Sequence, residues 1–203
     1  MWSSIYKLIV LLYVVCLLSG CIGGGAATPV RYYPVDPVEY PSASLKVVRQ
    51  LNLEIINLHI PQYLERFHIA TRSNESRLEF SESNQWGENL RKNLLRTMAR
   101  NMSRLLSTID IGTPLNRSSS LPDYRVQIHI DQFEQGIDNK VKLVARWQLS
   151  GGSKSESLGV FSAELQSQQT IEEENYDQMV SAMRQLYGEL SERVAETIIA
   201  QEK

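Results

Sequence analysis

The chain is 203 residues long, 42% hydrophobic, and carries 21 basic against 23 acidic side chains for a net charge of −2. That length suits one domain with one buried core, and an acidic balance argues against a nucleic-acid partner, which calls for a basic surplus. The two cysteines, Cys16 and Cys21, both lie near the amino terminus, so the rest of the chain has no thiol for a disulfide or a metal centre.

Residues 1–7, MWSSIYK, hold one basic side chain, and Leu8 to Leu18 is an unbroken apolar run. A charged start, an apolar stretch shorter than the roughly 20 residues of a membrane span, and small residues behind it predict a secretory signal peptide. Leu18-Ser19-Gly20-Cys21 resembles the lipobox of Gram-negative lipoproteins. The resemblance implies cleavage after Gly20, which discards residues 1–20 with Cys16, a diacylglyceryl group on the Cys21 thiol, and an acyl chain such as palmitate on the new amino terminus. One chain holds a protein to a bilayer only marginally, at about 0.8 kcal/mol per buried methylene, whereas two or three make attachment effectively permanent. Ile22 is not the aspartate that retains such lipoproteins in the inner membrane, so the expected location is the outer membrane, facing the periplasm.

Residues 21–43 read as the lipidated amino terminus and a flexible linker, because GGGAATPV is followed by Pro34, Pro37 and Pro41. At about 3.3 Å per residue, that linker reaches about 70 Å. Residues 44–203 are expected to form a single periplasmic α+β domain. From Leu51 to Ile60 the apolar residues alternate but change phase, which predicts a strand with a bulge near Ile55, ended by Pro61. RFHIATR and RLEFSES form a strand pair around the turn SNES. From Trp86 to Leu106 the apolar spacing becomes three and four, which predicts an amphipathic helix capped by Ser83 or Asn84. A loop over 112–123 leads to three strands, starting at Tyr124, Val141 and Leu158, each apolar on one face: an antiparallel meander with one wet side. A closing helix spans about 176 to 199, with Glu172, Glu173 and Glu174 at the positive end of its dipole. The fold class is α+β, a mostly antiparallel sheet with two long amphipathic helices packed on one face.

In this order, IPQYL after the first long strand, Trp86 opening the first helix, the hairpin VQIHIDQFEQGIDNKVKLVARWQL and the closing NYDQMVSAMRQLYGELSERVAETI resemble a known family. It is that of the auxiliary outer-membrane lipoproteins of MCE-type lipid transport, the paraquat-inducible protein C type. The resemblance implies a component without catalytic residues that docks a periplasmic MCE-domain partner at the outer-membrane bilayer, and it is compatible with a homo-oligomer. A reading from another class is an outer-membrane lipoprotein that regulates a cell-wall synthase. Such regulators also join a lipobox, a linker and a small α+β domain, often with a longer linker to cross the peptidoglycan.

His59, His68 and His129 are the imidazole candidates, but they show no HxxH spacing, and the sequence has neither a Gly-x-Ser-x-Gly elbow nor a phosphate-binding glycine loop. No catalytic residue, metal or cofactor is expected. The apolar helix stripes either pack as core or line a lipid cavity under the sheet, and Tyr63 and Leu64 either pack on the sheet edge or make an exposed apolar contact. The less ordinary feature is Lys92, Arg96, Arg100 and Arg104, spaced by four on the polar face of the first helix with no acidic residue after Glu88. Like charges at that spacing cost a few tenths of a kcal/mol per pair. The stripe is therefore a solvated face, or it is answered by Glu189, Glu192 and Glu196 of the last helix in the same or a neighbouring subunit, by anionic head groups, or by an acidic partner.

Overall fold

The computed structural model describes residues 2, 5–7, 28–40, 49–109, 111–116, 120–152 and 156–202. The lipobox, Cys21 and most of the signal segment lie outside them. Among the described residues the strands are β1 (Arg31–Tyr33), β2 (Leu53–His59), β3 (His68–Asn74), β4 (Arg77–Trp86), β5 (Ile111–Gly112), β6 (Tyr124–Gln135), β7 (Val141–Gly151) and β8 (Ser157–Gln166). The helices are α1 (Leu90–Leu105) and α2 (Tyr176–Ala200). All eight strands belong to one sheet. β6, β7 and β8 form the expected antiparallel meander, while β2 joins the other edge of β6 in parallel and carries β5 beyond it. Where β2 stops, β3 takes over that edge of β6 through Thr71 and Gln135, and β4 and then β1 extend the sheet outward.

Both helices lie on one face, where their apolar stripes meet the inward side chains of β2, β6 and β7. Leu94, Met98 and Met102 of α1 and Met183, Tyr187 and Leu190 of α2 are fully buried against Ile55, Ile128, Phe133, Leu143 and Leu149. Side chains thus fill the space under the helices, and the stripes are core. Along β2 and β6 residue alternation fails once each, and each time a bulge restores the inward face. One skips Ile56, which is left 39% exposed, and the other lies between Ile130 and Gln132.

Two expectations need correction. Trp86 does not open the first helix but closes β4, where its backbone N–H donates to Phe67 O at 2.7 Å and its indole is buried. The helix starts four residues later at Leu90, with Asn89 Oδ1 accepting from the Lys92 N–H at 3.1 Å. Asn84, an expected cap, instead donates to Ser81 Oγ at 2.9 Å and accepts from the Tyr33 hydroxyl at 3.3 Å within the β4–β1 pair.

The second correction concerns the linker. Residues 31–40 are part of the packed body, as a strand and then a strap laid over the seam between α1 and α2. Val35 is fully buried, its N–H donating to Asn93 Oδ1 at 2.8 Å and its carbonyl accepting from Thr97 Oγ at 2.7 Å. Two side chains one helical turn apart thus pair the backbone as a neighbouring strand would. Farther along, Val38 O accepts from Arg104 Nη1 at 2.7 Å, Asp36 O and Pro37 O accept from Arg184 at 3.4 and 3.3 Å, and the Tyr40 hydroxyl donates to Gly188 O at 3.2 Å. Burial pushes the Tyr40 phenol up to about 12, which keeps it a donor. Gly188 permits the contact, since a Cβ there would stand 2.6 Å from Val38 Cγ2. Scattered prolines and single apolar residues carry no period, which is why this stretch reads as linker.

Replacing Asn93 by Leu and Thr97 by Val removes both clamps on Val35. Each change leaves a buried backbone group unpaired, at about 1–3 kcal/mol. Hydrogen exchange is expected to show the Val35 amide deprotected while the β6 and β7 amides stay slow. Continued protection of Val35 would mean that the strap is held elsewhere.

Candidate interaction site

The side chains of Lys92, Arg96, Arg100 and Arg104 all point outward from α1 and are exposed, as their spacing requires. Two of them have partners. Arg96 forms an ion pair with Glu88, donating from Nη1 to Oε2 at 2.9 Å, and this guanidinium holds the Glu88 carboxyl below its usual range. Arg104 is used by the strap, donating to Val38 O and standing 3.6 Å from the almost fully exposed Glu39 carboxylate. Such exposed pairs contribute little, commonly 0–1 kcal/mol. The side chains of Lys92 and Arg100 form no ion pair or hydrogen bond with the described residues.

The carboxylates of α2 do not answer the stripe within the subunit. Glu189 pairs with Arg193 on its own helix at 3.3 Å. Glu192 is raised from its ordinary value by burial and then by Glu189 and Glu196, against a lowering by Arg193, as expected where carboxylates crowd one helix face. The ridge flanks Val38, Glu39 and Tyr40 of the strap. The molecule therefore presents a basic stripe on α1 and an acidic ridge on α2, separated by the strap.

The remaining candidates are structural. Leu64 is buried, and Tyr63 packs on the sheet with its hydroxyl donating to Glu134 at 2.5 Å. His59 and His129 face each other across β2 and β6, stacked at 4.6 Å, with His129 held below its usual value by burial and by His59. His68 lies on β3 beside Gln85. Among the described residues no three histidine, cysteine or acidic side chains gather closely enough to hold a metal ion, and no helix is long and apolar enough to cross a membrane. Sequence reading missed Asn93, Thr97 and Asn101, which repeat by four beside the basic stripe and are buried. Short polar residues recurring inside an apolar helix face were the available signal. Asn93 and Thr97 hold the strap, and Asn101 donates to Ser191 Oγ of α2 at 3.0 Å.

Residues 33–195 match the family described as the ABC-type transport auxiliary lipoprotein component. Among curated proteins none matches. Two solved structures share the fold. One, described only as an uncharacterized protein, has 18% identity and a TM-score of 0.65, the match covering 84% of this chain and 99% of that one. The other, XCC0632 from Xanthomonas campestris, has 15% identity and a TM-score of 0.62 over 85% of this chain and 94% of its own. At these identities the likeness speaks for fold alone.

The ridge gives a pH-dependent test. A carboxyl with a raised folded-state pKa stabilises the fold below its unfolded value, and that contribution is lost as pH rises through the folded value. Glu192→Gln is therefore expected to raise the melting temperature at neutral pH and to leave it unchanged in acid, where Glu192 is already protonated. An equal gain at both would rule out charge as the cause.

Proposed function

The chain belongs to the ABC-type transport auxiliary lipoprotein component family, and from that membership we propose an outer-membrane, periplasm-facing lipoprotein that docks the MCE-domain partner of an intermembrane lipid transport system. It is the non-catalytic auxiliary component of that system. What carries the reading is one coincidence: a lipobox at Leu18-Ser19-Gly20-Cys21 stands directly before a domain whose residues 33–195 match the auxiliary family. Cys21 is the lipidated residue, and the exposed stripe Lys92, Arg96, Arg100 and Arg104 is the surface offered to a partner or to a neighbouring subunit.

The docked strap sharpens the choice between the two readings. Because the packed body includes Arg31–Tyr33 and the strap, Cys21 stands only ten residues before the first strand. Ten residues could span at most about 33 Å. A domain held that close to the outer membrane suits a docking element at the bilayer, and it suits poorly a regulator that must reach through peptidoglycan to a cell-wall synthase.

Cys21→Ser is expected to abolish uptake of labelled palmitate and to leave an unprocessed precursor, while Ile22→Asp is expected to shift the protein into inner-membrane fractions. Labelling that survives the first change would refute the anchor. For the partner, the MCE-domain protein is expected to co-purify with the wild-type chain from solubilised envelopes, and Arg96→Glu with Arg100→Glu to reduce that recovery and its sensitivity to salt. Recovery of a cell-wall synthase in its place would overturn the transport reading.

A further inference from the structure

Beside the basic stripe, residues 95–103 of α1 and the strand β5 leave a groove of about 340 Å³, open to solvent. Its lining is apolar: Leu95 and Ala99 from α1, Ile111 from β5, and Ile109 and Leu115 from the flanking loops. Ile109 is 93% exposed and Leu115 64% exposed, the kind of apolar surface that a soluble monomer rarely leaves bare side by side. Arg96 and Arg100 form the rim, and Arg100 has no ion-pair partner among the described residues. Apolar floor and cationic rim thus lie on the same flank of one helix.

We propose that this groove is the docking site for an acidic amphipathic segment of a protein partner. Its apolar side chains seat between α1 and β5, and its carboxylates meet Arg100, with the Glu88-paired Arg96 beside it. The proposal gives chemistry to the partner that the proposed function invokes, and it rests on that reading only for the partner's identity. Two other occupants fit less well. A second copy would bring its acidic ridge to the rim, but none of the exposed large apolar side chains among the described residues lies on α2, so the groove would stay empty. A bilayer is disfavoured by position. Thr28 and Pro29, just before β1, line a pocket with Glu174 and Tyr176 at the start of α2, whereas none of these residues lines the groove, which runs along residues 95–103 of α1 and beside β5. With the anchor proposed at Cys21, that pocket rather than the groove lies beside the anchored end of the chain.

The test uses the lipidated chain in phosphatidylcholine nanodiscs and two synthetic amphipathic helical peptides with the same leucines and phenylalanines, one with glutamates between them and one with lysines. Fluorescence anisotropy is expected to show binding of the glutamate peptide only. Arg100→Glu and Leu115→Glu are each expected to weaken it by at least about tenfold, with Val160→Glu on β8 as the exposed control that leaves it unchanged. Equal binding of both peptides, or indifference to Leu115→Glu, overturns the proposal. So does binding of phosphatidylglycerol vesicles that Arg100→Glu and Leu115→Glu abolish while the peptide stays unbound, which would make the groove a lipid surface. A drop in sedimenting mass on Leu115→Glu without peptide binding would make it a contact between copies, and the proposal falls again. If the MCE-domain protein co-purifies undiminished with Leu115→Glu, the groove fails and the transport reading stands. If the glutamate peptide binds as described but no MCE-domain protein is recovered, the groove stands and the transport reading fails.

Discussion

β6 is hydrogen-bonded along both edges, to β2 and then β3 on one side and to β7 on the other, so its alternation of faces decides which residues of four strands turn toward the helices. Val126, Ile128 and Ile130 point inward, the bulge adds one residue, and Phe133 resumes the inward face. Without that bulge, a one-residue slip would turn Phe133 to the other side and leave Tyr187 of α2 without the ring that it stacks on at 6.1 Å. The seat of both helices, and through them the strap and the basic stripe, follows from this register.

The same bulge has an electrostatic consequence. It sends Glu134 to the outer face of the sheet, where β3 and the turn Gln62–Glu65 cover it completely. A carboxylate without water needs pairing and hydrogen bonds to offset its desolvation. Glu134 obtains both: Arg72 of β3 stands at 2.9 Å, Tyr63 donates at 2.5 Å and Gln132 at 2.9 Å. Burial, and then Glu134, keeps the Tyr63 phenol far above its usual value and hence a donor. The meeting of β3 with the end of β6 is thus fixed by a specific set of polar partners, and β4 and β1 inherit their position from it.

What the sequence made legible is what has a period. The phase change at Ile55 and Ile56, the meander from Tyr124 onward and the closing helix, whose first residue is Tyr176, follow from alternation or from three-and-four spacing. The exposure of Lys92, Arg96, Arg100 and Arg104 follows in the same way. The failures lie where tertiary context decides. Trp86 fits the helix spacing, yet Gly87 follows it and Asn89 supplies a better cap, so the strand pairing of β4 extends to the tryptophan. The strap has no period at all, because its partners are side chains of Asn93, Thr97, Arg104 and Arg184 brought from far along the chain. Nor does spacing tell whether a cation has a partner, and here Glu88 and Val38 O claim two of the four.

The strap ties anchoring and surface chemistry to the same residues. Arg104 belongs to the basic stripe by spacing, but donating to Val38 O makes it a strap residue as well, and Gly188 admits Val38 next to the acidic ridge. The strap therefore also separates the two charged surfaces, running from the start of α2 along the seam to Tyr40. Were the strap to leave the seam, Arg104 would lose its carbonyl partner and join the stripe as a free cation, Asn93 and Thr97 would exchange the Val35 backbone for water, and the fully buried Val35 side chain would be exposed. The last of these is the costly step, since exposing a buried apolar side chain opposes the change more strongly than exposed charge rearrangements favour it. The strap is thus held over the seam by hydrogen bonds inside the fold, and these also fix the separation of the basic stripe from the acidic ridge.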